Sequence, residues 1–316
     1  MVRVLGGAGA LIAVGGALVV GSANAFAYQP GTIGFDISYP QCGTSYPINT
    51  RLGAPPAVTP HSRTATALPL AMDTRAPRIA AGDSTPPSAV PQSTPPAVSR
   101  TVARAVPARG FGIVGVDSGY GFISATHPGN PCLADEYARS PNPALYVNTG
   151  YDPSFEQPDH TTADCTTRSQ SVPTDAAHQR AWAVGCSEAQ KDLLYVTAQG
   201  IVNKGGWWLD VETGNSWCGL HGVVCDKTLN QYSIQGLIDT LLSNNATPVG
   251  IYSNNYMWSL IVGSNTVHGQ TADWYATGQS TAQAAAPYCS SLYSFAGDPV
   301  KLVQFVAASV DRDLAC

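Results

Sequence analysis

The sequence predicts an α/β protein on a mainly parallel sheet, a modified or incomplete (β/α)8 TIM-type barrel, and three observations carry that prediction. From Phe111 onward, short apolar runs alternate with helical stretches, the pattern of parallel strands joined through crossover helices. Several runs end in acids, as expected where chemistry sits at the carboxyl ends of barrel strands. Roughly 225 residues remain once an export segment and a Pro-rich stretch are set aside, near the ~250 typical of such barrels.

Taken in order, residues 1–25 have the form of a secretory signal. Arg3 is followed by an apolar stretch from Val4 to Val20, and Ala23-Asn24-Ala25 is a small-x-small cleavage site. The expectation is a secreted, envelope-associated protein that meets the membrane only transiently through this segment; the alternative is an uncleaved anchor. Gly34 to Cys42, reading GFDISYPQC, is the first strand, with Phe35 and Ile37 on its apolar face and Gly34, Asp36 and Ser38 on the other. Residues 44–108 then hold half of the 24 prolines among Ala, Thr and Ser. Too little apolar periodicity is present there to offset ordering entropy, so the stretch is expected to be disordered. A strand on its far side needs a sheet to join. Residues 31–43 and 109–316 are therefore expected to form one domain, with 44–108 inserted after its first strand.

Further strands are expected at Gly112 to Val116, Ala144 to Asn148, Trp207 to Val211, Pro248 to Ser253, Ala272 to Ala276 and Lys301 to Phe305, seven with the first and no visible eighth. Helices fill the gaps. Asn130 with Pro131 begins one that runs to about Ala138; Ala176 to Ala198 is long and Ala-rich; Ile234, Leu237, Ile238 and Leu241 make an i, i+3, i+4, i+7 stripe.

Eight cysteines agree with an oxidising compartment. None is in a Cys-x-x-Cys pair and the six histidines lack His-x-x-x-His spacing, so no metal site or other cofactor is expected. Of the 105 pairings that eight cysteines allow, Cys218 with Cys225 and Cys165 with Cys186 are local; Cys289 with Cys316 and Cys42 with Cys132 are one arrangement of the rest. A net charge of -5 with few charged residues leaves no basic patch for nucleic acid, and low charge with abundant Tyr, Trp, Asn, Ser and Gly suits a neutral hydroxyl-rich ligand. A monomer is expected.

The chemistry concentrates in Trp207 to Trp217, WWLDVETGNSW. Strand alternation puts Trp208, Asp210 and Glu212 on one side. A carboxyl pair is what glycosidic cleavage needs, one group to protonate the leaving oxygen and one to support the developing sugar cation. Exposed Asp-x-Glu is commonly a solvated strand end, but the two tryptophans argue for burial. Asp36, Asp117, Asp311 and Asp313 stand at or after the ends of other strands, where a lone Asp is more often a turn or cap carboxylate. Asp117-Ser118-Gly119 in particular is also a good turn. Trp217, just past the acids, ranks first among tryptophans able to stack on a sugar, ahead of Trp182 and Trp258. Gly110 to Gly115 matches the spacing of a dinucleotide-binding loop but lies inside a strand, and Asn245-Ala246-Thr247 is a glycosylation sequon; neither carries function here.

In order along the chain, GFDISYPQ, WLDVE, PVGIYSNNYMW, ADWYA and VQFVAASVD resemble glycoside hydrolase family 25, the lysozyme-type muramidases, and related secreted glycoside-hydrolase-like domains of actinobacteria. The resemblance implies a barrel acting on peptidoglycan, with Glu212 as proton donor, Asp210, Asp36 and Asp311 around the sugar ring as nucleophile or electrostatic support, and Tyr252 and Trp274 as sugar-contacting aromatics. Trp208, on the acids' face, and Asp117 complete the candidate set. In this reading Glu212 is desolvated and protonated while Asp210 stays charged, and retaining, inverting or N-acetyl-assisted routes all remain open. One departure matters. The second strand reads GIVGVDSGYGF where true muramidases of the family carry a Lys-Ala-Thr-Glu-Gly-like sequence. The rival expectation is accordingly a catalytically inactive barrel that binds cell-wall glycan or another envelope component; a third is a surface protein whose Pro-rich insertion is the working arm.

Overall fold

Every strand of the sheet has a neighbour on both sides. The computed structural model describes residues 26–42, 110–121, 123–124, 127–308 and 310–316; the expected signal and the whole of the Pro-rich insertion lie outside the described residues. The strands are β1 (Ile33–Ile37), β2 (Gly112–Gly115), β3 (Ala144–Asn148), β4 (Trp207–Asp210), β5 (Val249–Ser253), β6 (Asp273–Gln279), β7 (Val300–Ala307) and β8 (Val310–Ala315), closed into a barrel in chain order. β1 pairs in parallel with β2, so segments on either side of the Pro-rich stretch belong to one sheet. The main helices are α1 (Leu133–Arg139), α2 (Ala163–Ser169), α3 (Ala176–Ala198), α4 (Thr228–Ser243), α5 (Asn255–Ile261) and the single turn α6 (Ala282–Ala285).

The eighth strand corrects the sequence reading. Asp311 and Asp313 do not follow the last strand but belong to it, and β8 runs antiparallel to both β7 and β1. Its alternation is hidden because two of its inward positions are acids instead of apolar residues. The first strand is also shorter than expected, ending at Ile37, with a 3-10 turn at Tyr39–Gln41. The helix expected from Pro131 starts at Leu133, its preceding turn held by Cys132 N–H donating to Asn130 Oδ1 at 3.0 Å. α3 and the α4 stripe form as expected, with Ile234, Leu237, Ile238 and Leu241 all buried. Asp175 caps α3 by accepting from Ala177 N–H (2.9 Å) and His178 N–H (3.1 Å).

Alternation divides the apolar residues into two sets. Outward strand residues such as Val114, Leu145, Val147, Leu209, Val211 and Ile251 pack beneath the helices. Inward ones fill the barrel, and at its floor Phe26 stacks on Trp208 at 4.1 Å between centroids, Tyr28 lies 4.4 Å from Phe111, and Trp208 Nε1–H donates to the Tyr28 hydroxyl at 3.1 Å. Trp208 fits because its register partner on β5 is Gly250; a Cβ there would overlap the indole. Cys42–Cys132, Cys165–Cys186, Cys218–Cys225 and Cys289–Cys316 are bonded, the arrangement expected. No helix among the described residues is long and apolar enough to cross a membrane.

Candidate active site

Above the aromatic floor the barrel interior turns polar. Asn148, Asp210, Tyr252 and Trp274 are successive register partners on β3 to β6, so the pleat points all four the same way. They line an open cleft of about 420 Å³ at the carboxyl ends of the parallel strands, together with Asp36, Ser38, Tyr39, Tyr146, Glu212, Gln304 and Asp311. The antiparallel sense of β8 explains how Asp311 arrives there. It stands at the start of its strand, which is the rim where its parallel neighbours end. The four acids singled out from sequence as catalytic candidates thus share one cleft.

The Asp210–Glu212 segment is pinned by its neighbours. Val211 N–H donates to Tyr252 O (2.9 Å), Ser253 Oγ donates to Val211 O (2.7 Å), and Asn215 Nδ2 donates to Asp210 O (3.0 Å). Glu212 O accepts from Trp217 Nε1–H at 2.8 Å, and Cys218–Cys225 closes the following loop. Such anchoring holds two carboxylates in place without touching them.

Glu212 is half-buried, and its carboxyl is raised above the ordinary glutamate range by burial first and the charge of Asp311 second. Asp210, 8% exposed, is raised much further by burial and by the charges of Glu212, Asp117 and Asp36. This corrects the expectation that Asp210 stays charged: it is the more buried of the pair, and desolvation favours its neutral form. Burial and the charge of Asp311 push Asp36 up to about 7. Asp311 is exposed at the mouth.

A hydrogen-bond chain runs beneath these acids. The Tyr252 hydroxyl donates to Gln304 Oε1 (2.7 Å), and Gln304 Nε2 donates to Asp36 Oδ2 (2.8 Å). Asp36 and Asp313 are close enough for each to shift the other's protonation, and Asp313 Oδ1 accepts from Trp274 Nε1–H at 2.8 Å. Burial pushes Asp313 well up, so one proton can be shared between the two carboxyls. Of this chain, sequence reading missed Gln304 and any role for Asp313; it also missed Tyr146 and Asn148. Their only signal was a polar residue at an inward position of an otherwise apolar strand.

Three candidates are corrected. Trp217 and Trp208 are both fully buried, Trp217 under the loop it anchors and Trp208 in the barrel floor, so neither presents a face to a ligand. Asp117 does not line the cleft; it is 2% exposed and accepts from Asn148 N–H (2.7 Å), Asn148 Nδ2 (2.8 Å) and Gly119 N–H (3.0 Å). Those bonds make it the turn carboxylate that also fixes Asn148. Trp182 and Trp258 are packing residues, Trp182 with Nε1–H on Asp239 Oδ2 at 2.8 Å.

No family model matches the chain. No curated protein sequence matches it. Among solved structures it is similar to the modular autolysin LytC from Streptococcus pneumoniae, at 12% identity and a TM-score of 0.38 over 64% of this chain and 40% of that one. It is also similar to GHIP, a glycosyl hydrolase 25 of the same organism, at 14% identity and a TM-score of 0.38 over 65% of this chain and 76% of that one. A muramidase from Trichobolus zukalii is similar at 15% identity and a TM-score of 0.40, over 65% of this chain and 82% of that one. The chain spans about two fifths of the length of the autolysin.

Proposed function

We propose that the cleft hydrolyses glycosidic bonds of bacterial cell-wall peptidoglycan by carboxylate acid catalysis. The observation that carries this reading is the convergence of Asp36, Asp210, Glu212 and Asp311 from three strands on one open cleft. Glu212 is the general acid, since it is near the mouth, half-buried and raised in pKa, the state a proton donor needs near neutral pH. Asp210 and Asp36 support the developing positive charge at the sugar ring, Asp311 completes the acidic rim, and Tyr252 and Trp274 contact the ring. As ring charge develops it favours the ionised form of the buried acids beneath it, so their stabilisation is greatest in the transition state. Four disulfides agree with work outside the reducing cytosol, as a secreted, wall-associated protein.

The second reading is a barrel that binds wall glycan without cutting it. It is favoured by one observation: Asp117, the acid that ends the atypical second strand, is bound to Asn148 and unavailable to substrate. Incubation of the purified protein and its Glu212→Gln variant with peptidoglycan separates the two. Hydrolysis predicts reducing ends from the wild type and a large loss in the variant. Binding of the polymer by both with sugar released by neither leaves the binding module.

A further inference from the structure

The cleft has a charge imbalance that a neutral sugar would not correct. Asp36, Asp210, Glu212 and Asp311 line it, with Asp313 beside Asp36, and among the described residues that line it there is no lysine, arginine or histidine. The nearest cation in sequence, Arg312, is on the opposite face of β8, its guanidinium carbon 5.2 Å from the Phe35 ring centroid. Within this cluster Asp210 is more than nine-tenths buried and lines the cleft; its Oδ1 is sealed inside without a hydrogen-bond partner among the described residues, so what the carboxyl shows the cleft is its other edge. A buried acceptor left open is costly unless something fills it.

We infer that the cleft selects an amino-sugar glycan whose 2-amino group is free and protonated, the ammonium meeting the Asp210 carboxylate where it lines the cleft. This deepens the glycan-hydrolase reading and rests on it. Asp210 precedes Glu212 by two residues on one strand face, ~6.6 to 6.8 Å deeper at Cα. A ring held with Glu212 at its glycosidic oxygen would turn its 2-substituent to Asp210, the more buried acid of the pair in the same cleft. An N-acetyl group offers that carboxylate one neutral N–H. An ammonium offers a charge-assisted bond of roughly twice the strength and supplies the cation that the acids lack. Burial and mutual repulsion raise Asp36 and Asp210 toward their protonated forms; an ammonium beside them would release a proton and return Asp210 to its anion. The substrate would then be a de-N-acetylated stretch of wall glycan, supplied by amide hydrolysis at the sugar nitrogen.

The test is calorimetric binding of a glucosamine hexamer and an N-acetylglucosamine hexamer to the full chain carrying Glu212→Gln, which removes turnover. The glucosamine hexamer should bind at least about tenfold more tightly at low ionic strength. That preference should shrink with added salt and disappear when Asp210→Asn is added. Asp311→Asn, at the exposed mouth, is the second variant and should reduce the preference without abolishing it. Equal or tighter binding of the N-acetylated hexamer overturns this inference alone. A preference that survives Asp210→Asn overturns it too, by making the attraction diffuse. Failure of both hexamers to bind overturns the glycan reading and this inference with it.

Discussion

Asp273 offers a test of the electrostatics away from the cleft. It begins β6 fully buried, with Oδ2 accepting from Phe295 N–H (2.8 Å) and Ala296 N–H (3.2 Å) and Oδ1 unpartnered among the described residues. Burial pushes its carboxyl from the ordinary 3.8 up to about 7. The sign follows from proton uptake. Below pH 4 folded and unfolded chains both carry the proton; between about 4 and 7 the unfolded chain ionises and the folded one does not, so stability falls as pH rises. At ~1.36 kcal/mol per pH unit that window is worth about 4 kcal/mol, complete above pH 7. In Asp273→Asn the side-chain oxygen can still accept both backbone bonds, while the new NH2 is a buried donor without a partner, costing about 1–3 kcal/mol. The variant should thus be less stable than wild type at pH 4 and equal or more stable at pH 8. Urea unfolding at intervals from pH 4 to 8, disulfides intact, reads the difference, in which the other acids cancel. A difference that stays constant across the range would refute the reasoning.

Three further outcomes follow from features already described. Glu212→Gln should lower sugar release from peptidoglycan by about 10²- to 10⁴-fold with polymer binding retained, as measured by reducing ends and pull-down. Gly250→Ala forces a methyl group into the Trp208 indole and should cost at least about 1–3 kcal/mol, seen as a lowered melting temperature. Replacing Cys42 and Cys132 by serine releases a bridge between residues 90 apart and should cost about 2–5 kcal/mol in denaturant unfolding, against no change on reduction of the double variant at that bridge.

The fold was legible wherever a strand's outward face was apolar. Most of the expected strands have such a face, and the long helices show their stripe. β8 was not legible because VDRDLA places acids on its inward side: Asp313 is fully buried with Oδ1 held by Trp274, a partner 39 residues away that no local pattern reveals. The Asp210–Glu212 pair was legible because alternation on a strand is a local fact. The rest of the cleft depends on which strands neighbour one another and how they register, as Gln304 shows by bridging Tyr252 and Asp36 from elements 52 and 268 residues away. Tryptophans misled for the complementary reason. Proximity in sequence placed Trp208 and Trp217 beside the acids, while packing turned both into the interior.

The aromatic floor has a practical consequence for how the molecule is held. Phe26 is seated under Trp208, and Gly31 N–H bonds to Ala315 O at 2.9 Å, so the polypeptide enters and leaves the barrel on one side while the acids open on the other. A tether, tag or resin grafted before Phe26 or after Cys316 would hang from the base and leave the acidic opening turned outward, toward whatever polymer the anchored molecule is set against.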